Sequence, residues 1–165
     1  MSAIQEVDTP AIALPPLGQL LTGQGGYFVG VLRGEDGRSY GQIAAPDDFD
    51  DTEWGGYGKS VKGTASAWDG ASNTRALIEH GDHPAAKLAA EYENEGFKDF
   101  ILPARRQLAV AEACAPELFK KEPYWTSTQC SANLAWAVRF QHGGVDTWNK
   151  SHAFRVRPFR SFLIA

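Results

Sequence analysis

The sequence predicts an α+β domain in which strands from both ends of the chain share one mixed or antiparallel sheet, with the helices on one side. Three observations predict this class. A strand, turn and strand pattern lies around residues 27–44, helical signals fill residues 74–114, and β patterns return after residue 123. The chain has 165 residues, of which 43% are hydrophobic and 22% charged, so it is long enough for one domain with its own core.

Charge and cysteine content exclude several classes of protein. The net charge is −4 and the pI is about 5.5, which argues against nucleic acid as a partner. No apolar run is long enough to cross a bilayer, so we expect no membrane insertion. The first residues lack the pattern of a signal peptide, which predicts synthesis in a cytoplasm without export. Cys114 and Cys130 are too few for a disulfide scaffold, and we expect both to be reduced.

The first third of the chain predicts an arm and a hairpin. Residues 1–24 contain Pro10, Pro15 and Pro16 without a helical period, so they predict an extended arm that needs a partner surface. Residues 27–32 and 39–44 predict two strands joined by the turn at 34–37. The domain proper is therefore expected at residues 25–165.

The middle of the chain predicts irregular structure followed by helices. The acidic run 47–53 and the glycine-rich run 54–58 are expected to form no regular element. Asn73 is a plausible N-cap for a short helix at 74–80, and Pro84 begins a second helix that Gly96 ends. After an extended piece at 97–103, a third helix is expected at 104–114.

The last third predicts an antiparallel meander. Alternating or apolar runs at 124–126, 134–140, 145–148 and 154–159 are separated by short polar segments that are typical of turns.

Several stretches, taken in order, resemble one known family. In the back half, Gly96-Phe97-Lys98-Asp99-Phe100-Ile101-Leu102-Pro103, Tyr124-Trp125-Thr126-Ser127-Thr128 and the closing Arg155-Val156-Arg157-Pro158-Phe159-Arg160 carry the resemblance, as does Ala135-Trp136-Ala137-Val138-Arg139-Phe140. In the front half, Gly25-Gly26-Tyr27-Phe28, Ile43-Ala44-Ala45-Pro46 and Asp69-Gly70-Ala71-Ser72-Asn73-Thr74 are similar to the same pattern. The set spans residues 25–160 and resembles the Lcl C-terminal domain family. Phe100 and Gln107 replace the usual Trp and Glu of that pattern.

The resemblance implies a C-type-lectin-like fold with a small antiparallel sheet, two to three helices and long loops, related to the formylglycine-generating enzymes. Such domains occur in bacterial surface proteins and in bacteriophages, where they resemble the display modules of tail fibres. The resemblance therefore implies a virion component.

Loops between the late strands are the expected ligand contacts. They carry polar and aromatic residues suited to adaptable binding. A solvated rim of turn residues is the alternative, and Trp148 favours binding because a tryptophan is unusual in a turn. The candidate ligand-binding residues are Gln129, Ser131, Asn133, Gln141, His142, Asp146, Trp148, Asn149 and His152.

Other motif residues are expected to build the fold. Trp125, Trp136 and Phe140 alternate along predicted strands, which favours packing in the core over ligand binding. Arg157 and Arg160 are expected to hold loop carbonyls or a carboxylate such as Asp99.

No cofactor or metal is expected. The calcium-binding triplets of true lectins are missing, and Lys150 puts a cation in the sequence Trp148-Asn149-Lys150 where such a triplet has a carboxylate. The acidic run 47–53 lacks the spacing of a calcium loop, and His80, Asp82 and His83 are too few for zinc. We also expect no catalytic residue, because neither cysteine lies in a motif that matches the copper-dependent relatives.

The function predicted from these observations is a non-enzymatic display or binding module of a bacteriophage particle, in the tail or associated with the capsid. Its arm would dock on another virion protein and its loops would face a host surface protein or glycan, and a homo-oligomer is expected. One alternative is a structural decoration or assembly protein of the virion, in which Trp148 and the tail 162–164 are buried between copies. The other is a small intracellular effector that binds a host protein.

Overall fold

The computed structural model describes residues 13–164 of the chain. Within this part, three α-helices lie between strands that come early and late in the sequence, which confirms the α+β class. The helices are α1 (Gly70–His80), α2 (Pro84–Glu91) and α3 (Arg105–Cys114), and a single 3-10 turn follows at Pro116–Leu118. The strands are β1 (Leu20–Leu21), β2 (Gly26–Arg33), β3 (Ser39–Ala44), β4 (Phe49–Glu53), β5 (Pro123–Gln129), β6 (Leu134–Arg139), β7 (Val145–Asn149), β8 (Ala153–Val156) and β9 (Phe159–Ile164).

The first sheet joins both ends of the chain. Its strand order is β1-β2-β3-β9, all antiparallel, with Ser39 opposite Ile164 and Ala44 opposite Phe159. The predicted hairpin is confirmed, as is the sharing of a sheet by early and late strands. The prediction of one sheet is wrong, because the described residues form two.

The second sheet has the order β4-β8-β5-β6-β7. Strands β5, β6 and β7 form the predicted antiparallel meander, but the last predicted strand does not continue it. Pro158 has no backbone N–H, and it separates β8 from β9. Strand β8 returns to pair in parallel with β5, where Tyr124 lies opposite Arg155, and β9 crosses to the first sheet.

The acidic run forms an edge strand rather than an irregular segment. Strand β4 pairs antiparallel with β8, with Thr52 opposite Phe154. Arg155 offsets the charge just before the strand, since its guanidinium lies 2.7 Å from Asp48 Oδ1. The prediction for residues 49–53 is therefore wrong, because pairing with β8 and a basic neighbour outweighs the low strand preference of aspartate. The glycine-rich run 54–58 is irregular, as expected.

Helix α1 begins earlier than the sequence indicated. Asp69 is its N-cap, and its carboxylate accepts a hydrogen bond from Ser72 N at 3.0 Å. Asn73, the predicted cap, lies inside the helix and is fully buried, where its amide donates to Ser66 O at 2.8 Å. The helix predicted to begin at Pro84 and the helix predicted at 104–114 are confirmed as α2 and α3, although α2 ends at Glu91 and not at Gly96.

Two buried clusters fill the space between the helices and the sheets. The first contains Trp54 and Trp125, whose indole N–H groups donate to the carbonyls of Thr126 and Thr52 at 2.8 and 2.9 Å. These reciprocal bonds tie the loop after β4 to β5. The second cluster lies under α3 and includes Phe119, Tyr124 and Phe140. Trp125 and Phe140 are thus core residues, as predicted, whereas Trp136 is partly exposed beneath the Arg105 guanidinium.

The end of the predicted arm is docked on the first sheet. Gly18 N donates to Phe28 O at 2.7 Å, and Phe28 N donates to Gln19 O at 2.9 Å. Leu21 packs with Phe28 and Ile43 in a small cluster of buried residues. The first twelve residues of the arm lie outside the described part of the chain.

Candidate functional site

The predicted ligand-binding residues separate into two groups at opposite ends of β6. Ser131 and Asn133 lie in the turn before this strand, next to Asn149, which is opposite Leu134 in the ladder. Gln141 and His142 lie in the turn after it. Six residues of extended strand span roughly 17 Å, so the two turns do not share a surface.

Several of these residues stabilise turns. Asn149 Oδ1 accepts hydrogen bonds from Ser151 N and Ser151 Oγ at 2.8 and 2.6 Å. Ser131 Oγ accepts from Leu134 N at 3.1 Å. Both are side-chain contacts that shape tight turns, which is the role that the alternative of a rim of turn residues gives to Ser131 and Asn149.

Gln129 accepts a hydrogen bond from a buried lysine, Lys150. The Lys150 ammonium is fully buried, and Nζ donates to Gln129 Oε1 at 2.8 Å and to Lys59 O at 2.9 Å. It also lies 4.7 Å from the centroid of the Trp54 ring. Burial lowers the pKa of Lys150 to about 8. This internal cation joins the turn after β7, the end of β5 and the loop at 54–61, and the Gln129 side-chain oxygen takes part in that junction.

The remaining predicted residues include an aromatic group that the structure brings together. Trp148 packs edge-on against Phe154 and against His152, with ring centroids 5.4 and 5.5 Å apart, and His152 stacks on Phe154. The Arg139 guanidinium lies 4.2 Å from the centroid of the Trp148 ring. We call Trp148, His152, Phe154 and Arg139 the aromatic surface cluster. His152 is exposed and the other three are partly exposed.

Strand register explains this cluster. Trp148 lies opposite Ala135, and Asp146 opposite Ala137, so both side chains share one face of the second sheet. Small side chains on β6 leave room for the indole ring. Sequence reasoning identified Trp148, Asp146 and His152 but missed Phe154 and Arg139, which the pattern indicated only as strand residues.

A cavity of about 500 Å³ lies elsewhere on the molecule, and sequence reasoning missed it. It is bounded by the tip of the β2–β3 hairpin, by the residues around the start of α1, and by the segment before α3. The residues that line it are Leu32, Gly34, Glu35, Asp36, Tyr40, Gln42, Trp68, Asp69, Ala71, Asp99, Ile101, Gln107 and Ser161. They come from five separate segments of the chain, so no local motif could have indicated the cavity.

The arginines of the closing motif hold the fold together, as predicted. Arg157 donates to Ala45 O at 2.7 Å and to Leu118 O at 2.6 Å. Arg160 forms two parallel bonds to Asp99, at 2.9 and 3.2 Å, and donates to Gln24 O at 2.8 Å. Each side chain therefore fastens a loop to the sheet.

A third arginine belongs to a buried polar group with Asp48 and Tyr124. The Tyr124 hydroxyl donates to Asp48 Oδ2, and Arg155 binds the other carboxylate oxygen. Burial opposes the charged form of Asp48, but the hydrogen bonds from Arg155 and Tyr124 outweigh it and hold the pKa of that carboxyl below its usual range. Burial together with the bond to Asp48 raises the pKa of Tyr124 to about 12.

The two histidines near α2 contact each other. His80 Nδ1 lies 2.9 Å from His83 Nε2, and His83 Nδ1 lies 3.2 Å from the carbonyl oxygen of Trp54. Among residues 13–164, no group of three or more histidine, cysteine or carboxylate side chains is arranged to hold a metal ion.

Comparisons with models of known protein families and with curated proteins find no match to this chain. Within the described residues, no helix is both long enough and apolar enough to span a membrane.

Proposed function

We propose that this chain is a non-enzymatic binding module, and that it contacts its partner through the aromatic surface cluster. The observation that carries this proposal is the packing of Trp148 between Phe154, His152 and Arg139 on one face of the second sheet. Tryptophan and arginine are the residues most enriched at energetic centres of protein interfaces. An aromatic ring that is already held by its neighbours loses little conformational entropy when a partner binds.

The positions of the perturbed titratable groups also support a scaffold over an enzyme. Lys150, Asp48 and Tyr124 have shifted pKa values, and each is engaged with neighbouring groups of the fold. None of these three lines the large cavity, and the two shifted groups that do, Asp36 and Tyr40, are bonded to each other: that hydrogen bond lowers the pKa of Asp36 and raises the pKa of Tyr40. Shifted groups that stabilise packing are a common alternative to catalytic groups.

Membership of a bacteriophage particle is part of the same proposal, and it rests on the resemblance to the Lcl C-terminal domain family. An attachment surface is supported by the end of the N-terminal arm. Leu14, Leu17 and Leu20 are 41%, 47% and 49% exposed, so this short segment offers apolar surface that a partner could bury. We propose that these leucines contact another virion protein or a second copy of the chain.

The binding surface is tested by adding fluorescently labelled protein to a panel of intact bacterial cells. A variant with Trp148→Ala and His152→Ala is compared with a control variant that carries Gln141→Ala and His142→Ala at the opposite end of β6. We expect saturable binding that falls at least about tenfold in the first variant and is unchanged in the control. Circular dichroism establishes that both variants fold.

Either of two results would overturn the proposal. One is a folded wild-type protein that binds no cell in the panel, which would favour the alternative of a structural virion protein. The other is equal binding by the two variants, which would place the contact surface elsewhere.

The attachment surface is tested with Leu14→Ser and Leu17→Ser in one chain. Substitution is preferred to removal of the whole arm because Leu21 is buried in the domain. We expect sedimentation velocity or co-assembly with particle proteins to show loss of association while the thermal unfolding midpoint stays unchanged. Association that survives both substitutions would contradict this part of the proposal.

A further inference from the structure

The cavity beside the β2–β3 hairpin has the size of a small-molecule site. Its volume of about 500 Å³ lies within the range of roughly 300 to 1,000 Å³ that is typical of ligand pockets. None of the residues of the aromatic surface cluster lines it, so it is separate from the surface proposed above.

The floor of the cavity is a hydrogen-bonded group of three side chains. Gln107 Nε2 donates to Gln42 Oε1 at 3.0 Å and to Ser161 Oγ at 3.1 Å, and Ser161 Oγ donates to Gln42 Oε1 at 2.9 Å. Gln107 Oε1 accepts from the backbone N–H groups of Gly70 and Ala104. The two glutamines are almost fully buried and have their partners within the protein, so the floor is rigid and preformed.

Aromatic side chains form part of the wall. The Tyr40 ring is fixed by the hydrogen bond from its hydroxyl to Asp36 Oδ2. The Trp68 ring is fixed by the Arg106 guanidinium, which lies 4.1 Å from its centroid. Leu32 and Ile101 complete an apolar wall that can cover the hydrocarbon part of a ligand.

The charged residues that line the cavity are all acidic. Its lining residues include the carboxylates Glu35, Asp36, Asp69 and Asp99 and contain no lysine, arginine or histidine. Arg160 pairs with Asp99, Asp69 caps α1, and Asp36 accepts hydrogen bonds from Arg38 N and from the Tyr40 hydroxyl. Glu35 and Asp36 lie at the exposed hairpin tip. Because carboxylates only accept hydrogen bonds, the cavity favours a ligand that is rich in donors and positively charged.

We propose that this cavity binds an organic cation, namely an ammonium or guanidinium group attached to a short hydrocarbon chain. The charged end lies among Glu35, Asp36 and Asp69, and the hydrocarbon lies against Tyr40, Trp68 and Leu32. A free amine and a basic side chain of a peptide share this chemistry, and the test includes one probe of each kind.

The test is a titration followed by NMR and by calorimetry at low ionic strength. The probes are agmatine and spermidine as free amines, the blocked amino acid Nα-acetyl-lysine amide as a model of a side chain, and 1,4-butanediol as a neutral control. We expect saturable shifts of the Trp68 indole N–H signal with at least one cationic probe, weakened by salt, and none with the diol. If only the free amines bind, the ligand is a small amine. If the blocked lysine also binds, the site accepts a basic side chain of a peptide.

Matched variants locate the site. Glu35→Gln combined with Asp36→Asn removes two charges but keeps hydrogen-bond acceptors, whereas Glu91→Gln removes an exposed charge at the end of α2, outside the cavity lining. We expect the double variant to bind about tenfold or more weakly and the control to bind as wild type. The proposal is overturned if no cationic probe saturates up to millimolar concentration, if the diol binds equally well, or if the double variant, shown to unfold cooperatively, binds as wild type.

Discussion

The Lys150 ammonium donates a hydrogen bond of 2.8 Å to the side-chain oxygen of Gln129, and the same oxygen accepts from the backbone N–H of Val61 at 2.9 Å. A fully buried lysine thus fastens the loop that follows β4 to the end of β5. Because this charge is internal, its titration is coupled to folding.

Lys150 makes stability rise with pH on the alkaline side. Its pKa is about 8 in the folded protein, below the ordinary 10.5, so between these values the unfolded chain binds more protons than the folded chain. Stability therefore increases as the pH rises from 8 to 10, by a free energy on the order of 2 kcal/mol. Above pH 10 the two tyrosines with pKa values near 12, Tyr92 and Tyr124, oppose this increase because they resist ionisation only while folded.

Urea unfolding at pH 8, 9 and 10 measures this effect, with Lys150→Met as the matched variant. We expect the unfolding free energy of the variant not to rise between pH 8 and pH 10. An equal rise in both proteins would mean that groups other than Lys150 cause it.

His83 makes stability fall with acid. Burial lowers its pKa below the usual 6.5, so the unfolded chain takes up the proton first as the pH drops through 6.5. Stability that is fully present above this pH is then lost toward pH 5. The contacts suit the neutral ring: Trp54 O can only accept, so His83 Nδ1 donates to it and the unprotonated Nε2 accepts from His80 Nδ1.

Unfolding measured at pH 5, 6 and 7 checks this prediction. We expect His83→Gln to show a smaller loss between pH 7 and 5 than wild type, since glutamine donates to Trp54 without titrating. An NMR titration that gave His83 a pKa above 6.5 would contradict the assignment.

Alanine substitutions at two glycines, Gly30 and Gly23, distinguish the cost of steric crowding from the cost of backbone strain. Gly30 lies at the irregularity in the β2–β3 ladder with a φ of 151°, and a Cβ there would lie 2.3 Å from Val110 Cγ1 on α3. Gly23 has a φ of 80° with nothing within 4 Å of an added Cβ. We expect Gly30→Ala to cost about 2 to 4 kcal/mol of unfolding free energy and Gly23→Ala about 1 kcal/mol. Thermal and urea unfolding measure both variants. If Gly30→Ala and Gly23→Ala lose the same unfolding free energy, α3 moves to accommodate the added methyl group at no cost.

Replacement of Arg160 by lysine tests the forked contact to Asp99. Lysine keeps the charge but cannot form two parallel bonds to Asp99 while also donating to Gln24 O. We expect Arg160→Lys to lose about 1 to 3 kcal/mol of unfolding free energy, and Arg38→Lys in the exposed hairpin turn to lose less than about 0.5 kcal/mol. Similar values in the two variants would mean that the fork adds no stability.

The elements that the sequence predicted well depend on local signals. Pro84 at the start of α2, the apolar spacing in α3 and the turn at 34–37 each act over a few residues, and the structure confirms all three. The roles of Arg157 and Arg160 were also predicted, because a buried guanidinium needs acceptors and the neighbouring loops offer carbonyls.

Tertiary structure alone decided the features that join distant segments. Strand β4 forms because the acidic segment pairs with β8 and because Arg155 offsets the charge of Asp48. Strand β8 in turn pairs with β5, although about 30 residues separate them in sequence. The candidate surfaces follow the same rule: Trp148 could be identified from its type, but its partners Phe154 and Arg139 and the whole acidic cavity could not. The physical reason is that hydrogen-bond ladders and side-chain packing between remote segments are set by the three-dimensional fold, whereas sequence patterns report only the preferences of neighbouring residues.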